Sequence, residues 1–344
     1  MTKREALTRI NDDLNVLGAA ALERKRRLHP DRVTTFIIDR NINYTNICHI
    51  GCKFCAFHVK HGDKNGYVLP YETIDRKIEE LIAIGGTQIL FQGGVNPALK
   101  IDYYENLVDH IHTTFASIDI LGFSAVEIAY IAKISGITTK EVLARLRDRG
   151  MGAMPGAGAE ILSDRVRSYV SPNKVSVADW LRIHGEAHEL GMTTSATMVF
   201  GLGESDEEII DHFESLRIQQ DKTGGFTAFI LWSYQPDRTP LQKLRPDLSK
   251  QSSNRYLRLL ALARLYLDNF KNIQSSWVTQ GAYIGQLALR FGANDLGSTM
   301  MEENVVAATG CSNSMATDEM VALIKGVGEI PMQRNTRYSR LRGF

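Results

Sequence analysis

The stretch NINYTNICHIGCKFCAF, residues 41–57, gathers three of the chain's four cysteines, Cys48, Cys52 and Cys55, and leaves the fourth, Cys311, far downstream. It follows directly on TTFIID (34–39), an apolar run rich in β-formers, so the cysteines belong to the loop that leaves a first strand. Four cysteines in 344 residues do not make a disulfide framework, and three at C-x3-C-x2-C spacing point to metal or redox chemistry. A structural zinc usually takes four protein ligands, and the fourth would have to be His49, His58, His61 or distant Cys311. A 4Fe-4S cluster held by three thiolates is the other reading, and it leaves one iron open to an exogenous ligand.

Outward from this loop the chain alternates. β-rich runs at 34–39, 87–94, 118–124, 151–156, 193–201, 225–232, 273–279 and 295–300 are followed by segments of helical period. These lie at 71–84, 103–115, 139–149, 177–190, 206–220, 250–269, up to 291, and 317–326. Eight such units predict a parallel α/β fold closed as a (β/α)8 barrel of the TIM type. Polar and Gly-rich turns (QGGVNP, PGAGAE, GLGES) follow the strand runs, at the end where a barrel keeps its active site. With no Pro/Ser-rich linker, the expected organisation is one domain: an N-terminal helical extension (1–33) and a barrel (34–344) with a cluster loop at 46–66.

Forty basic and 39 acidic residues give a net charge near +1, which offers no polyanion-binding face and argues against a nucleic-acid partner. The N-terminus is charged where a secretory signal would be apolar, and the most apolar stretch (118–134) is interrupted by Asp119, Glu127 and Lys133. The expectation is a cytoplasmic protein without a membrane partner.

Incomplete thiolate ligation in the loop after a barrel's first strand resembles the radical S-adenosylmethionine (SAM) superfamily. That resemblance implies a 4Fe-4S cluster on Cys48, Cys52 and Cys55, whose open iron takes SAM and whose electron cleaves it to a 5'-deoxyadenosyl radical. Phe54, just before the third cysteine, matches the family pattern and would pack near the adenine. In QGGVNP, Gly93 and Gly94 match the Gly-rich turn that approaches the methionyl ammonium, although Val95 stands where Glu is frequent. TMVFGLGE resembles the adenine-contacting element, with Gly201 and Glu204 in place and Thr197 replacing its first glycine. Glu160 is the expected ribose acceptor.

Within the superfamily NYTNIC (43–48), CKFCAF (52–57), AVEI (125–128) and QRNTRY (333–338) are similar to a group comprising dehypoxanthine futalosine cyclases, aminofutalosine synthases and the halves of FO synthase. GGTQILFQGGVNP (85–97), MPGAGAEIL (154–162), GGFTAFILWSYQP (224–236) and DLGSTMMEENVV (295–306) look most like the cyclases, with His58 where those usually carry Tyr. The resemblance implies a step of the futalosine route to menaquinone. A hydrogen leaves C4' of the ribose of dehypoxanthine futalosine, the carbon radical closes on the benzoate ring, and loss of an electron and a proton restores aromaticity. The electron donor would be of the flavodoxin or ferredoxin type. Asp295 and Glu302 are the expected bases, with His58 as a third candidate. Gln92, Ser124 and Arg290 are expected to bind the benzoate carboxylate and Glu127 a sugar hydroxyl, although Glu127 could equally open a helix and Arg290 sit on an outer one. Trp232, Tyr234 and Trp277 are candidates to stack on the arene or simply to fill the barrel. A zinc-clipped barrel that only binds a ligand is the rival from a different class.

Overall fold

The run VTTFIIDRNI forms two consecutive strands, β1 (Val33–Ile37) and β2 (Asp39–Ile42), interrupted at Ile38. The computed structural model describes residues 1–311 and 313–344. Seven further strands follow in order: β3 (Gln88–Phe91), β4 (Asp119–Gly122), β5 (Met151–Met154), β6 (Thr193–Phe200), β7 (Phe226–Ser233), β8 (Asn272–Gln274) and β9 (Asp295–Ser298). Neighbours from β2 through β9 pair in parallel, in chain order. The interruption at Ile38 lets one run serve both ends of the sheet. The Ile37 carbonyl accepts from Thr299 N at 3.0 Å on the β9 side, and the Ile38 carbonyl accepts from Thr87 N at 3.1 Å on the β3 side. The sheet therefore closes through residues 33–42 into the predicted α/β barrel.

Burial follows the strand period. Along β6 the buried positions are Thr194, Ala196, Met198 and Phe200, with partly exposed residues between them, as expected when one face meets helices and the other a hollow lumen. Helices Tyr71–Ala83, Ile101–Thr114, Thr139–Asp148, Val177–Glu189, Asp206–Thr223, Ser253–Tyr266 and Thr317–Gly326 fall within a few residues of expectation. The apolar stretch at 118–134 hides a break the periodicity did not reveal. It is strand β4 followed by helix Ala125–Ser135, opened by a Ser124/Glu127 capping box. IQSSWVT is strand only at its start; Trp277–Gln280 is a helical turn. No helix among the described residues is long and apolar enough to cross a membrane.

Two helices, Lys3–Arg9 and Leu14–Leu28, form the N-terminal extension and lie on the outer layer, where Arg258 Nη1 donates to the Ile10 carbonyl at 3.0 Å. The C-terminus was not expected to add strands. It forms β10 (Ile330–Arg334), parallel to β1, and β11 (Arg340–Gly343), antiparallel to β10. The turn between them carries Arg334, Thr336 and Tyr338 against the barrel lumen, beside the first residues of β3, β6 and the early part of β7 (Gln88, Thr193, Thr227). The turn thus covers the lumen at the N-terminal ends of its strands.

Between sheet and helices lie three neutral histidines. His184 Nδ1 and His188 Nε2 both meet Thr194 Oγ1, at 3.0 and 2.8 Å, and His212 Nδ1 accepts from Leu162 N at 2.9 Å. Burial pushes His184 well below its ordinary pKa, His188 down to about 4 and His212 down to about 3. A depressed histidine costs nothing above the unfolded pKa of about 6.5, and below it the unfolded chain takes the proton first. Stability is therefore expected to fall as pH drops from about 6.5. At pH 5.5 the loss is expected to be on the order of 1 kcal/mol per histidine, a few kcal/mol for the three, checked by urea unfolding across that range. A flat profile between pH 7 and 5.5 would remove this reading of the layer.

Candidate active site

The NYTN segment preceding the cysteines is an anchor. Asn43 Nδ2 donates to the Gln92 carbonyl at 2.8 Å, Tyr44 Oη to Glu127 Oε1 at 2.7 Å, and Thr45 Oγ1 to the Tyr67 carbonyl at 2.6 Å. Asn46 binds both ends of the loop's return, donating to the Asn65 carbonyl at 3.0 Å and accepting from Tyr67 N at 2.9 Å. Backbone bonds from Cys48 N to Val59 O (2.9 Å), His49 N to Val95 O (2.8 Å) and Lys53 N to Val170 O (2.8 Å) hold the loop against the mouth. A polar tetrapeptide thus fixes where three thiols point.

Cys48, Cys52 and Cys55 share one apolar pocket with Ile50, Val95, Val126 and Tyr130. Burial pushes the Cys52 thiol up to about 12, with Cys55 and Cys48 adding to the rise, and raises Cys55, with Cys48 adding to it. Metal binding would displace the protons of Cys52 and Cys55. Among the described residues no three Cys, His, Asp or Glu side chains converge tightly enough to hold a single metal ion. A cuboidal cluster spreads its thiolates over separate irons, and three thiols lining one apolar pocket suit that donor set. The residues present fit a 4Fe-4S cluster. Cys311 lies apart, its Sγ 3.6 Å from the Val278 carbonyl.

Around the thiols the structure gathers most of the expected cofactor residues. Phe54 packs against the pocket, with Lys174 Nζ 5.1 Å from its ring centroid. Lys174 also holds Glu160 Oε1 at 2.5 Å, while Arg167 stands 3.6 Å from Oε2. Glu160 Oε2 is buried without a hydrogen-bond partner among the described residues, and the residue sits at φ 43°, a conformation that costs about 1 kcal/mol or more for a non-glycine. An unmet acceptor on a strained residue beside the thiols suits a ligand hydroxyl. Gly93 and Gly94 stand at the expected turn but for a different reason. A Cβ on Gly94 would lie 2.3 Å from the Ile47 carbonyl oxygen, and one on Gly93 would lie 2.7 Å from the Tyr44 ring. Their smallness admits the cluster loop itself. Gly94→Ala should therefore displace the loop, cutting iron uptake at least severalfold and lowering stability by about 1–3 kcal/mol; iron uptake and thermal midpoint equal to the parent's would refute this. Glu204 turns inward on its own loop, accepting from Gly201 N at 2.6 Å and Leu202 N at 2.8 Å, with Gly201 at φ 92°. It shapes the turn, and its carboxylate is already committed there.

Several substrate-side expectations need correction. Asp295 is fully buried and gripped by Arg334 (Nε to Oδ2 2.6 Å, Nη2 to Oδ1 3.1 Å), Thr35 Oγ1 (2.5 Å) and Gly297 N (2.9 Å). It fastens the plug and has no free oxygen to take a proton. Glu302 lies outside the barrel, accepting from Arg40 Nε at 2.8 Å and Lys77 Nζ at 2.5 Å. Burial pushes its carboxyl up, but Lys77, Asn304 and Arg40 outweigh that and hold it below its ordinary value. Glu127 accepts four hydrogen bonds, from Tyr44 Oη, Gly93 N, Ser124 N and Ser124 Oγ at 2.7–3.1 Å, so it opens its helix and ties that helix to the Gly-rich turn. Ser124 is spent on the same capping box. Arg290 sits beyond helix Ala282–Ala288 on the outer layer, where its charge opposes that of Lys25. His58 stays in the cluster loop, half-buried, with its pKa lowered by burial and Nδ1 unpartnered among the described residues. Gln92, partly exposed, stands at the mouth where β3 ends.

The lumen holds a cavity of about 90 Å³ lined by Ile37, Asp39, Gln88, Leu90, Leu121, Ile230, Trp232, Gln274 and Met300 above the plug. Of the three candidate aromatics only Trp232 lines it; Tyr234 Oη is bound to Thr239 at 2.7 Å and Trp277 Nε1 to the Ser298 carbonyl at 3.0 Å. Asp39 and Lys174 escaped the sequence reading. Asp39 left a signal, an acid two residues on from lumen-facing Ile37 in an otherwise apolar run. Lys174 left none, since nothing local ties it to Glu160.

A closed parallel barrel whose first strand delivers three thiols to its open mouth is the architecture of a radical SAM enzyme, and the chain belongs to the radical SAM superfamily, whose members use a 4Fe-4S cluster and SAM. Residues 42–216 match the superfamily and residues 223–342 match the CofH/MqnC C-terminal region. Among its relatives, the cyclic dehypoxanthine futalosine synthase of Halalkalibacterium halodurans is 45% identical over 334 residues, 97% of this chain and 89% of that one. The enzyme of the same name from Streptomyces coelicolor is 41% identical over 99% of this chain and 86% of its own. A 5-amino-6-(D-ribitylamino)uracil--L-tyrosine 4-hydroxyphenyl transferase of Methanococcus maripaludis is 36% identical over 88% of this chain and 86% of its own. Solved structures share the fold: methylornithine synthase (TM-score 0.73, 18% identity, 96% of this chain and 94% of that one) and the hydrogenase maturase HydG (TM-score 0.74, 16% identity, 96% and 73%).

Proposed function

We propose that this chain cyclises dehypoxanthine futalosine to cyclic dehypoxanthine futalosine, a step toward menaquinone. The observation that carries the reading is the 45% identity to a cyclic dehypoxanthine futalosine synthase, which runs through both the cluster half and the C-terminal half that completes the lumen. Cys48, Cys52 and Cys55 would hold the cluster, and Glu160 and Phe54 would face the ribose and adenine of SAM. Together those groups supply, when bound, a one-electron cleavage that yields a hydrogen-abstracting carbon radical.

The chain's own residues do the rest. A substrate with a ribose at one end and a benzoate at the other must be folded so that C4' and the ring meet, and a narrow plugged lumen favours the folded form by confinement. Trp232 offers an aromatic wall for the arene, and Gln88 and Gln274 offer amide donors within the lumen. The plug, fastened by the Arg334–Asp295 pair, seals one end against water that would compete at a reactive carbon. A small flavodoxin or ferredoxin would deliver the electron at the mouth.

The test is anaerobic incubation of the reconstituted protein with SAM, a reductant and either dehypoxanthine futalosine or the enolpyruvyl substrate of aminofutalosine synthase. Cyclised product with stoichiometric free 5'-deoxyadenosine is expected from the first. An adenosyl adduct from the second, without free deoxyadenosine, would overturn the proposal.

A further inference from the structure

We infer that Asp39 is the proton acceptor that restores aromaticity to the cyclised substrate, an inference that rests on the proposed cyclisation. Asp39 is the carboxylate among the residues that line the lumen cavity. It is buried, 4% exposed, at the start of β2, with Oδ2 accepting from Gln88 Nε2 at 2.8 Å and Oδ1 accepting from Ser298 Oγ. An ionised carboxylate offers about four acceptor positions, so two remain for a group in the cavity. Among the described residues no cation hydrogen-bonds to it. The nearest, Arg334, commits its fork to Asp295 and its remaining nitrogen to the Asn335 carbonyl at 3.1 Å.

The charged groups facing Asp39 come from two strands, Asp295 on β9 and Arg334 at the end of β10, and Tyr338 in the turn after β10 stacks under the Arg334 guanidinium. Burial outweighs the Ser298, Arg334 and Gln88 contributions and raises the Asp39 carboxyl to about 6. A base with its pKa near the working pH balances being ionised against being strong enough to take a proton. Asp295 and Glu302 each meet two or more strong donors, and neither is among the residues that line the cavity.

The step balances as follows. After ring closure the arene carries a radical and one sp3 carbon bearing hydrogen. The C–H bond at that carbon breaks, its electron pair stays on the ring, and an O–H bond forms on Asp39. The resulting radical anion, a strong reductant, passes one electron to an acceptor of the iron–sulfur or flavin class, leaving a neutral arene. Hydrogen removal from the ribose comes earlier and does not involve Asp39, so the two can be separated.

Asp39→Asn keeps the shape and both neighbours but cannot accept the proton. With wild type shown to cyclise the substrate, the variant is expected to release 5'-deoxyadenosine within about threefold of wild type while product falls at least about 100-fold, the low end of what a positioned base contributes. Product within threefold of wild type overturns the inference, and so does a parallel loss of deoxyadenosine and product in a variant whose near-ultraviolet circular dichroism is native. If wild type makes no cyclised product, the failure is that of the proposed function and not of Asp39. Should Asp39→Asn not fold, Ser298→Ala decides. Loss of that hydroxyl should move the acidic limb of the kcat profile to higher pH, because the ionised form of Asp39 loses a donor; an unmoved limb overturns the inference.

Discussion

Replacing Arg334 by methionine is expected to destabilise the fold by about 3–5 kcal/mol, the cost of leaving a buried carboxylate without its partner. Asp295 is fully buried and Arg334 nearly so, and the guanidinium holds the carboxylate through two nitrogens. Truncation of the cation leaves a charge the lumen cannot solvate. The double variant Arg334→Met with Asp295→Leu should recover most of the loss, because an apolar pair of similar volume needs no desolvation of charge. Urea unfolding of the single and double variants checks both statements. Equal destabilisation in both would mean that shape, not charge, fastens the plug.

The second large effect is at the cluster. Cys52 is 8% exposed and lies among the other two thiols, so Cys52→Ala should reduce bound iron from about four per chain to background after anaerobic reconstitution, and turnover with it. Cys311→Ala should leave iron content unchanged, since its sulfur faces the Val278 carbonyl away from the pocket. Iron retained in the first variant, or lost in the second, contradicts the assignment of the three ligands.

What could be read in the sequence was local. The alternation of strand and helix rests on periodicity within each segment, and the C-x3-C-x2-C spacing lies within one loop, so barrel and thiol set were both legible. What could not be read depends on who meets whom across the chain. Asp295 looked like a base because Arg334, 39 residues on, was not known to hold it, and Glu302 looked free because Arg40 and Lys77 lie more than two hundred residues earlier. Gly94 looked like a ligand-approach glycine, yet the atom that excludes a Cβ is the Ile47 carbonyl of the cluster loop. Asp39 was visible as an acid in a strand, but its position opposite Ser298 and Gln88 required the barrel to close. Residues that form part of a local motif announced themselves; residues whose role is set by a partner in another unit did not.

The central claim is that three protein thiolates leave one iron open for SAM. Electron–nuclear double resonance of the reduced, reconstituted protein with SAM labelled by 15N at the amino group and 17O at the carboxylate tests it directly. The account predicts hyperfine coupling from both labels to the cluster, lost in Cys52→Ala together with the cluster signal. A cluster signal with neither coupling in the presence of saturating SAM would contradict it.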